Sequence, residues 1–494
     1  MKRSLIKDLL KLDCAVNGAD VNGADNLVVK GWVRSLRKGK SFSFIMLNDG
    51  SSQQSLQIVA DSQLANYDDV SKMTMGYCVS VQGRLVSSSG KGQSVELQAQ
   101  SIEILGEVAP EYPLQKKATS LEFLREVAHL RARTNTFGAV FRMRHALSLA
   151  THKFFSDRGF YYVHTPIITA SDCEGAGAMF KVTTLDIDSP ATLPLSKNQQ
   201  GQQGHQGRQE KLDYTKDYFS RAAHLTVSGQ LEAECFALGL GAVYTFGPTF
   251  RAENSNTPRH LSEFWMIEPE VSFCDLDQLA DLATDYLQFL IGYVLDNYFP
   301  ELTFLQELQG QQEQQEQQNE GLVARLQQVR EAKFTKITYT EAITILERST
   351  ASKQFEFKVS WGMDLQTEHE RYLTEQHFRG PVIVTDYPQE IKAFYMKQNS
   401  DGKTVRAMDV LVPGIGEIMG GSQREDDYQK LFKRINDLGL NPDDYWWYLD
   451  LRKFGSAPHS GFGLGLERAL MYITGMNNIR DVIPFPRYPG SAEF

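Results

Sequence analysis

The chain has 494 residues, is 41% hydrophobic and 23% charged, and carries a formal net charge of −10. That length calls for two or three domains, and that balance is globular, which excludes a disordered chain and a bulk nucleic-acid coat while leaving room for local basic patches. No apolar run reaches the ~20 residues of a membrane span.

The start, MKRSLIKDLLKLDC, reads as neither a secretion signal nor a transit peptide, so a cytoplasmic protein is expected. The five cysteines, Cys14, Cys78, Cys173, Cys235 and Cys274, are scattered and form no CxxC pair. Reduced thiols are therefore expected, with no disulfide framework and no zinc.

From Asn26 to Gly106 the chain alternates like short strands: LVVKGWV, SFSFIMLND, LQIVAD, YCVSVQGRLV and SVELQAQSIEIL, broken by turn signals such as NDGSS and SSSGKG. Five such strands predict a small β-barrel of the OB type over residues 1–106, a fold that binds oligonucleotides. Residues 107–120, with Pro110 and Pro113, read as an extended linker. Residues 121–494 mix helices and strands, so the overall class is α+β. FRMRHALSLATHKFFSDRGF has a helical apolar stripe stopped by Gly159, and YYVHTPIIT follows as a strand carrying Pro166. Two Gln-rich stretches, 195–213 and 308–321, interrupt this part. Their composition buries too little apolar surface to carry a site; the first reads as a disordered insertion and the second as a helix extension.

The stretch FGPTFRAENSNTPRHLSEFWMIEPE, Phe246 to Glu270, packs cations, carboxylates and rings into one hairpin. Arginine holds phosphate with a planar fork, an aromatic ring stacks on a base, and a carboxylate reads an exocyclic amine. Arg251, Glu253 and Phe264 supply all three. On local composition alone the same stretch is equally a salt-bridged surface hairpin. SGFGLGLERALMYITG, Ser460 to Gly475, is a glycine-rich approach to a helix starting near Leu466, with Arg468 in its first turn. In MDVLVPGIGEIMGGSQRE, Asp409 and Glu417 are spaced to sit on adjacent strand positions, where they could hold Mg²⁺ with ATP oxygens completing the octahedron. An ordinary pair of acids beside a Pro/Gly turn would look the same.

In this order the elements resemble the class II aminoacyl-tRNA synthetases. GFYYVHTP is similar to their motif 1, FRAE…RHLSEF to motif 2 and GFGLGLER to motif 3. The N-terminal barrel narrows the resemblance to the aspartate/asparagine/lysine subgroup, and LTVSGQLEAE with the C-terminal GFGLGLERALMYITGMNNIRDVIPFPRYPGSAEF narrows it to the asparaginyl enzymes. The resemblance covers the whole chain except the Gln-rich insertions.

It implies a catalytic domain built on an antiparallel sheet with flanking helices, a homodimer joined through motif 1, and ATP, L-asparagine and tRNA(Asn) as substrates with Mg²⁺. It implies that Arg251 holds the α-phosphate, that His260 and Arg468 lie near the β- and γ-phosphates, and that Phe264 stacks on adenine under Arg468. Glu174, Gln230 and Glu270 are implied contacts of the substrate ammonium. Glu174 sits on a loop where relatives carry a glutamate in place of Ala178. Aspartate enzymes carry a lysine where this chain has Ala233. The next residue, Glu234, would accept from the asparagine amide and repel aspartate, while Arg424 would donate to the side-chain carbonyl. Arg34, Phe44 and Gln57 are the implied anticodon contacts, and one of Phe42 and Phe44 is expected in the barrel core. The competing readings are an aspartyl-tRNA synthetase, a non-catalytic paralogue and an asparagine-forming ligase on the same fold.

Overall fold

The computed structural model describes residues 2–12, 26–88, 90, 93–115, 119–173, 178–195, 212–312 and 321–494. The chain forms two compact units, Met1–Arg142 and Met143–Phe494.

In the first unit, β1 (Leu27–Lys38), β2 (Phe42–Asn48), β3 (Leu56–Asp61), β4 (Cys78–Ser87) and β5 (Val95–Gly106) close into a barrel in the order β1-β2-β3-β5-β4. Alternation decides which side chains enter it. In β2, Ser43, Ile45 and Leu47 are fully buried, so Phe42 and Phe44 share the outer face, Phe42 being 43% exposed. The expectation that one of these two rings is core is therefore wrong: residues two apart point the same way, and the inward parity belongs to Ser43, Ile45 and Leu47. A bulge in β1 between Val33 and Ser35 sets Arg34 outside the ladder. Such an extra residue re-aims its side chain.

The second unit is built on an eight-stranded sheet. Its members are β6 (Tyr161–Tyr162), β10 (Ala242–Phe250), β11 (Glu263–Ser272), β12 (Thr335–Thr338), β13 (Val382–Pro388), β14 (Thr404–Val412), β15 (Gly416–Gln423) and β16 (His459–Gly465), in the order β12-β13-β14-β15-β16-β11-β10-β6. The six central strands are antiparallel to one another, and β12 and β6 join the two edges in parallel. The strand expected over YYVHTPIIT is broken in two. Tyr161–Tyr162 joins the large sheet, whereas β7 (Ile168–Thr169) pairs with β9 (Ala223–Leu225), which also pairs with β8 (Lys181–Val182) in a separate small sheet. Pro166, between the halves, has no N–H for a ladder.

The Asn135–Asp157 helix ends just before Gly159, whose φ of +79° takes the left-handed cap position. The Leu276–Asn297 helix starts from a capping box at Asp275 and Gln278 and buries Leu279, Ala283, Leu287 and Leu290. The Phe299–Gln312 helix runs into the second Gln-rich stretch, as a helix extension would; positions 313–320 of that stretch, and most of the first, lie outside the described residues. Among the described residues no helix is long and apolar enough to cross a membrane.

Candidate active site

One face of the sheet carries the chemistry. On β11 the even residues Phe264, Glu268 and Glu270 share a face, and six residues of strand set Phe264 and Glu270 about 20 Å apart. The two ends of this strip differ in character.

At one end carboxylates are buried. Glu270 is fully buried, and Gly461 on the neighbouring strand makes room for it: a Cβ on Gly461 would lie 2.1 Å from Glu270 Oε1. Arg424, 2% exposed, follows β15 and closes its fork on Glu270, Nε donating to Oε2 at 3.1 Å and Nη2 to Oε1. Its Nη1 donates to Ser422 Oγ at 2.8 Å, and its guanidinium lies 5.1 Å from the Tyr395 ring centre. Glu234, on the Gln230–Leu240 helix, is also fully buried and lies 3.7 Å from Arg424 Nε.

Glu234 is saturated with donors. Gln230 Nε2 reaches Oε1 at 3.1 Å, Tyr448 Oη bridges both oxygens at 2.9 and 2.8 Å, and Arg452 Nη2 and His459 Nε2 each reach Oε2 at 2.9 Å. Burial pushes the Glu234 carboxyl up, but Arg452, His459 and Arg424 outweigh it and hold the group well below the usual carboxylate range. Glu270 goes the other way. Burial pushes it up to about 8; Arg424 pulls against this, and the negative Glu234 adds to it. Two carboxylates face the Arg424 cation here, and Glu270 is the one that accommodates the proton. Glu268, 6% exposed, accepts from Ser228 Oγ, from Gly229 N at 3.0 Å and from Thr245 Oγ1 at 3.2 Å, which pins the start of the helix bearing Gln230 and Glu234.

At the other end sit the aromatic ring and the second pair of carboxylates. The Arg251 guanidinium lies 5.5 Å from the centre of the Phe264 ring, and its backbone N–H donates to Ser262 across the hairpin at 3.0 Å. Arg468, third residue of the Leu466–Thr474 helix, turns to Glu417, with Nη1 3.6 Å from Oε2. Asp409 and Glu417 lie on the paired strands β14 and β15. A Cβ on Gly420 would meet Glu417 Oε1 at 3.2 Å and Asp409 Oδ1 at 3.3 Å, so both carboxylates look onto the space this glycine leaves open. Lys392 Nζ holds the other Asp409 oxygen at 2.9 Å. Two convergent hard oxygens suit Mg²⁺ held jointly with phosphate oxygens.

Not all expected partners are brought together. His260 is exposed and bonded to Thr257 Oγ1 within the hairpin loop. Glu253 is exposed and lines a cavity of about 690 Å³ with Phe180, Phe250 and Tyr488, which Phe264 and Arg468 do not line. Glu174 lies outside the described residues, while the carbonyl of nearby Ala178 accepts from Ala252 N at 2.7 Å. On the barrel, Phe44 pairs across the ladder with Arg37, and Met46 with Gln57. Gln57 Nε2 donates to Glu96 at 3.0 Å on this outer face. Arg34 instead lines a cavity of about 190 Å³ with Asn48, Gln53 and Arg142.

Sequence reasoning missed Tyr448, Arg452 and His459, the donors that fix Glu234, and also Lys392. Tyr448 and Arg452 share a helix face at i, i+4 in WWYLDLRK. That spacing was the available signal, and nothing local ties it to a carboxylate more than two hundred residues away.

Known proteins resemble this chain over its whole length. Residues 120–489 match the family of class II tRNA synthetases (D, K and N), and residues 27–105 match the OB-fold nucleic acid binding domain. The chain is 55% identical to the asparagine–tRNA ligase of Cytophaga hutchinsonii over 100% of both chains. It is 56% identical to that of Phocaeicola vulgatus over 100% of this chain and 99% of the relative. Among solved structures it is similar to asparaginyl-tRNA synthetase from Pyrococcus horikoshii complexed with asparaginyl-adenylate, with a TM-score of 0.80 and 30% identity over 100% of this chain and 99% of the other. The chain belongs to the class II tRNA synthetases of the D, K and N group and, within it, to the asparaginyl-tRNA synthetase family.

Proposed function

We propose that the chain is an ATP-dependent asparagine–tRNA ligase whose selectivity rests on the buried Glu270–Arg424–Glu234 trio. The observation that carries this reading is the Glu234 carboxylate, ionised and held by four side chains at the closed end of the sheet face.

L-asparagine and aspartate are almost the same shape, so charge must separate them. Aspartate would bring a second carboxylate against Glu234. Asparagine brings an amide that can donate to Oε1 in place of Gln230, and Arg424 donates to its side-chain oxygen. A buried group left unpaired by the wrong ligand is what makes such a site selective. Glu270, with Gln230 and Glu174, holds the substrate ammonium, whose positive charge balances the second carboxylate.

In the first step the asparagine α-carboxylate oxygen attacks the α-phosphorus of ATP, the bond to the β-phosphate oxygen breaks, and pyrophosphate leaves. Arg251 supports the α-phosphate, Arg468 and His260 the outer phosphates, and Phe264 the adenine, with Glu253 near the exocyclic amine. Asp409 and Glu417 would hold Mg²⁺, which neutralises charge on the phosphates. In the second step a ribose hydroxyl of the terminal adenosine of tRNA(Asn) attacks the activated carbonyl and AMP leaves. Positioning and electrostatics carry both steps, with no strong side-chain base required.

The barrel is the anticodon module, with Phe44 and Gln57 on its outer face and Arg34 beside its bulge. Residues 1–106 form this module, 107–120 a linker and 121–494 the catalytic part. The assembly is a cytoplasmic homodimer: the motif 1 region leaves Tyr161 58% exposed at the edge of the large sheet and Ile168 42% exposed on the small one, and Tyr162 lines a groove of about 530 Å³ with His152, Phe246 and Trp265.

ATP–pyrophosphate exchange with asparagine and aspartate in parallel, without tRNA, tests the reading. Exchange with asparagine alone is expected, and Glu234→Gln should weaken the preference by about tenfold or more. Exchange with aspartate, or selectivity unchanged by Glu234→Gln, would overturn it.

A further inference from the structure

The turn that delivers Glu417 is held from outside by a segment that plays no part in the steps above. We infer that the helical stretch Thr367–His377 is a brace for the metal-binding end of the site, and that Glu370 is the positioning residue that sets Glu417. This rests on the reading of Glu417 as a Mg²⁺ ligand.

Two carboxylates of the stretch grip the turn between β14 and β15 through its backbone. Glu370 Oε2 accepts from the N–H of Glu417 at 3.1 Å, and Glu375 Oε1 accepts from the N–H of Gly414 at 2.9 Å. Arg371 locks Glu375 with two donors, Nε at 2.7 Å and Nη2 at 3.1 Å. The turn is shaped to receive them. Gly414 and Gly416 have φ of +92° and +84°, and a Cβ on Gly416 would lie 2.3 Å from Glu370 Oε2. A side chain at position 416 would therefore displace the carboxylate that holds Glu417.

The helical geometry explains how both acids reach one turn. Residues five apart on an α-helix point about 140° away from each other. Here the α-helical Thr367–Arg371 widens into a π-helical turn, Tyr372–His377, whose wider spiral brings position 375 back towards position 370. At its other end the stretch meets the ATP-binding hairpin, where Arg259 Nη1 donates to Thr367 Oγ1 at 2.9 Å. One brace thus fixes the metal carboxylate and touches the loop that follows Arg251. Groups that orient a metal ligand typically change metal affinity by about 10–100-fold when removed.

The test is binding of a non-hydrolysable ATP analogue by calorimetry at a series of Mg²⁺ concentrations, with asparagine KM from pyrophosphate exchange. Glu370→Ala should raise the Mg²⁺ needed for half-maximal analogue binding about tenfold and leave the asparagine KM within about twofold. Glu370→Gln keeps an oxygen for the Glu417 N–H and should recover most of the loss. Glu375→Ala, at a more exposed position, should shift Mg²⁺ dependence in the same direction by a smaller factor. Unchanged Mg²⁺ dependence in Glu370→Ala, or a Gln variant as impaired as the Ala variant, overturns the inference. Glu417→Gln run in parallel separates the two readings: if it too leaves Mg²⁺ dependence unchanged, the assignment of Glu417 as a ligand has failed first.

Discussion

Arg424 stands between two buried carboxylates, its fork closed on Glu270 and its Nε 3.7 Å from Glu234 Oε1. The arrangement uses the planarity of the guanidinium as well as its charge. Lysine would keep the charge as a single point and lose the fork. The fork makes two hydrogen bonds to Glu270 and one to Ser422; hydrogen bonds to charged groups are worth about 1.5–3 kcal/mol each, and losing two that serve the transition state corresponds to a rate loss of roughly a hundredfold or more. Arg424→Lys should therefore lose asparagine-dependent pyrophosphate exchange by at least about a hundredfold. Binding of tRNA, measured by filter retention, should stay near the wild-type value. Exchange within tenfold of wild type would show that charge alone suffices.

Glu270 makes asparagine binding a proton-linked event. In the free site burial holds its carboxyl up at about 8, so at pH 7 it carries a proton. The substrate ammonium is a new positive charge beside it and favours the ionised form, lowering that value. Binding at pH 7 should release a substantial fraction of a proton, and the release should fade as pH rises through 8. Calorimetry in two buffers of different ionisation enthalpy reads it directly. Glu270→Gln should abolish the effect, and an absence of buffer dependence at pH 7 in the wild type would place the ammonium elsewhere. The same shift bears on stability: the folded state holds this proton more tightly than the unfolded chain, so Glu270 costs stability as pH climbs from about 4.5 to 8.

The outer face of the barrel gives a separate prediction. Phe44 is half-buried there with Arg37 and Gln57 around it, and its removal opens no core cavity because Ile45 and Leu47 fill the interior. Stacking of one base on an aromatic ring is worth about 1–3 kcal/mol. Phe44→Ala should lower kcat/KM for tRNA charging by about ten- to a hundredfold and spare adenylate formation. Equal loss of both would return Phe44 to a structural role.

What could be read in the sequence, and what could not, divides along contact range. Local period placed the five barrel strands and the helix after the glycine-rich stretch, because alternation and glycine act within a few residues. Parity failed at Phe42 and Phe44, since two apolar residues of one parity say nothing about which parity faces inward. The bulge at Arg34 was invisible because it depends on the register of β2 against β1. At the site, Asp409 and Glu417 were legible as neighbours from their spacing around a turn. The donors around Glu234 were not, because Tyr448, Arg452 and His459 reach it only through tertiary packing of a helix and strand far along the chain.

The first Gln-rich insertion can be tested as a passive one, because its ends meet. Leu195 and Leu212 form an antiparallel bridge, and Asp213 N donates to Pro194 O at 2.8 Å. Bridged residues of this kind stand about 5 Å apart, a gap that a two-residue Asn-Gly turn can close. Replacing residues 196–211 by Asn-Gly shortens the loop from sixteen residues to two. Three halvings of loop length lower the closure cost by about 1.8 kcal/mol, so the shortened protein should melt no lower than the parent. Its rate of pyrophosphate exchange should stay within about twofold of wild type, since every side chain given a role at the site lies outside positions 196–211 in the sequence, and a twofold change is under about 0.5 kcal/mol. A loss of turnover beyond tenfold with an unchanged melting temperature would mean that the insertion takes part in catalysis. A lower melting temperature would mean that it packs on the residues around it.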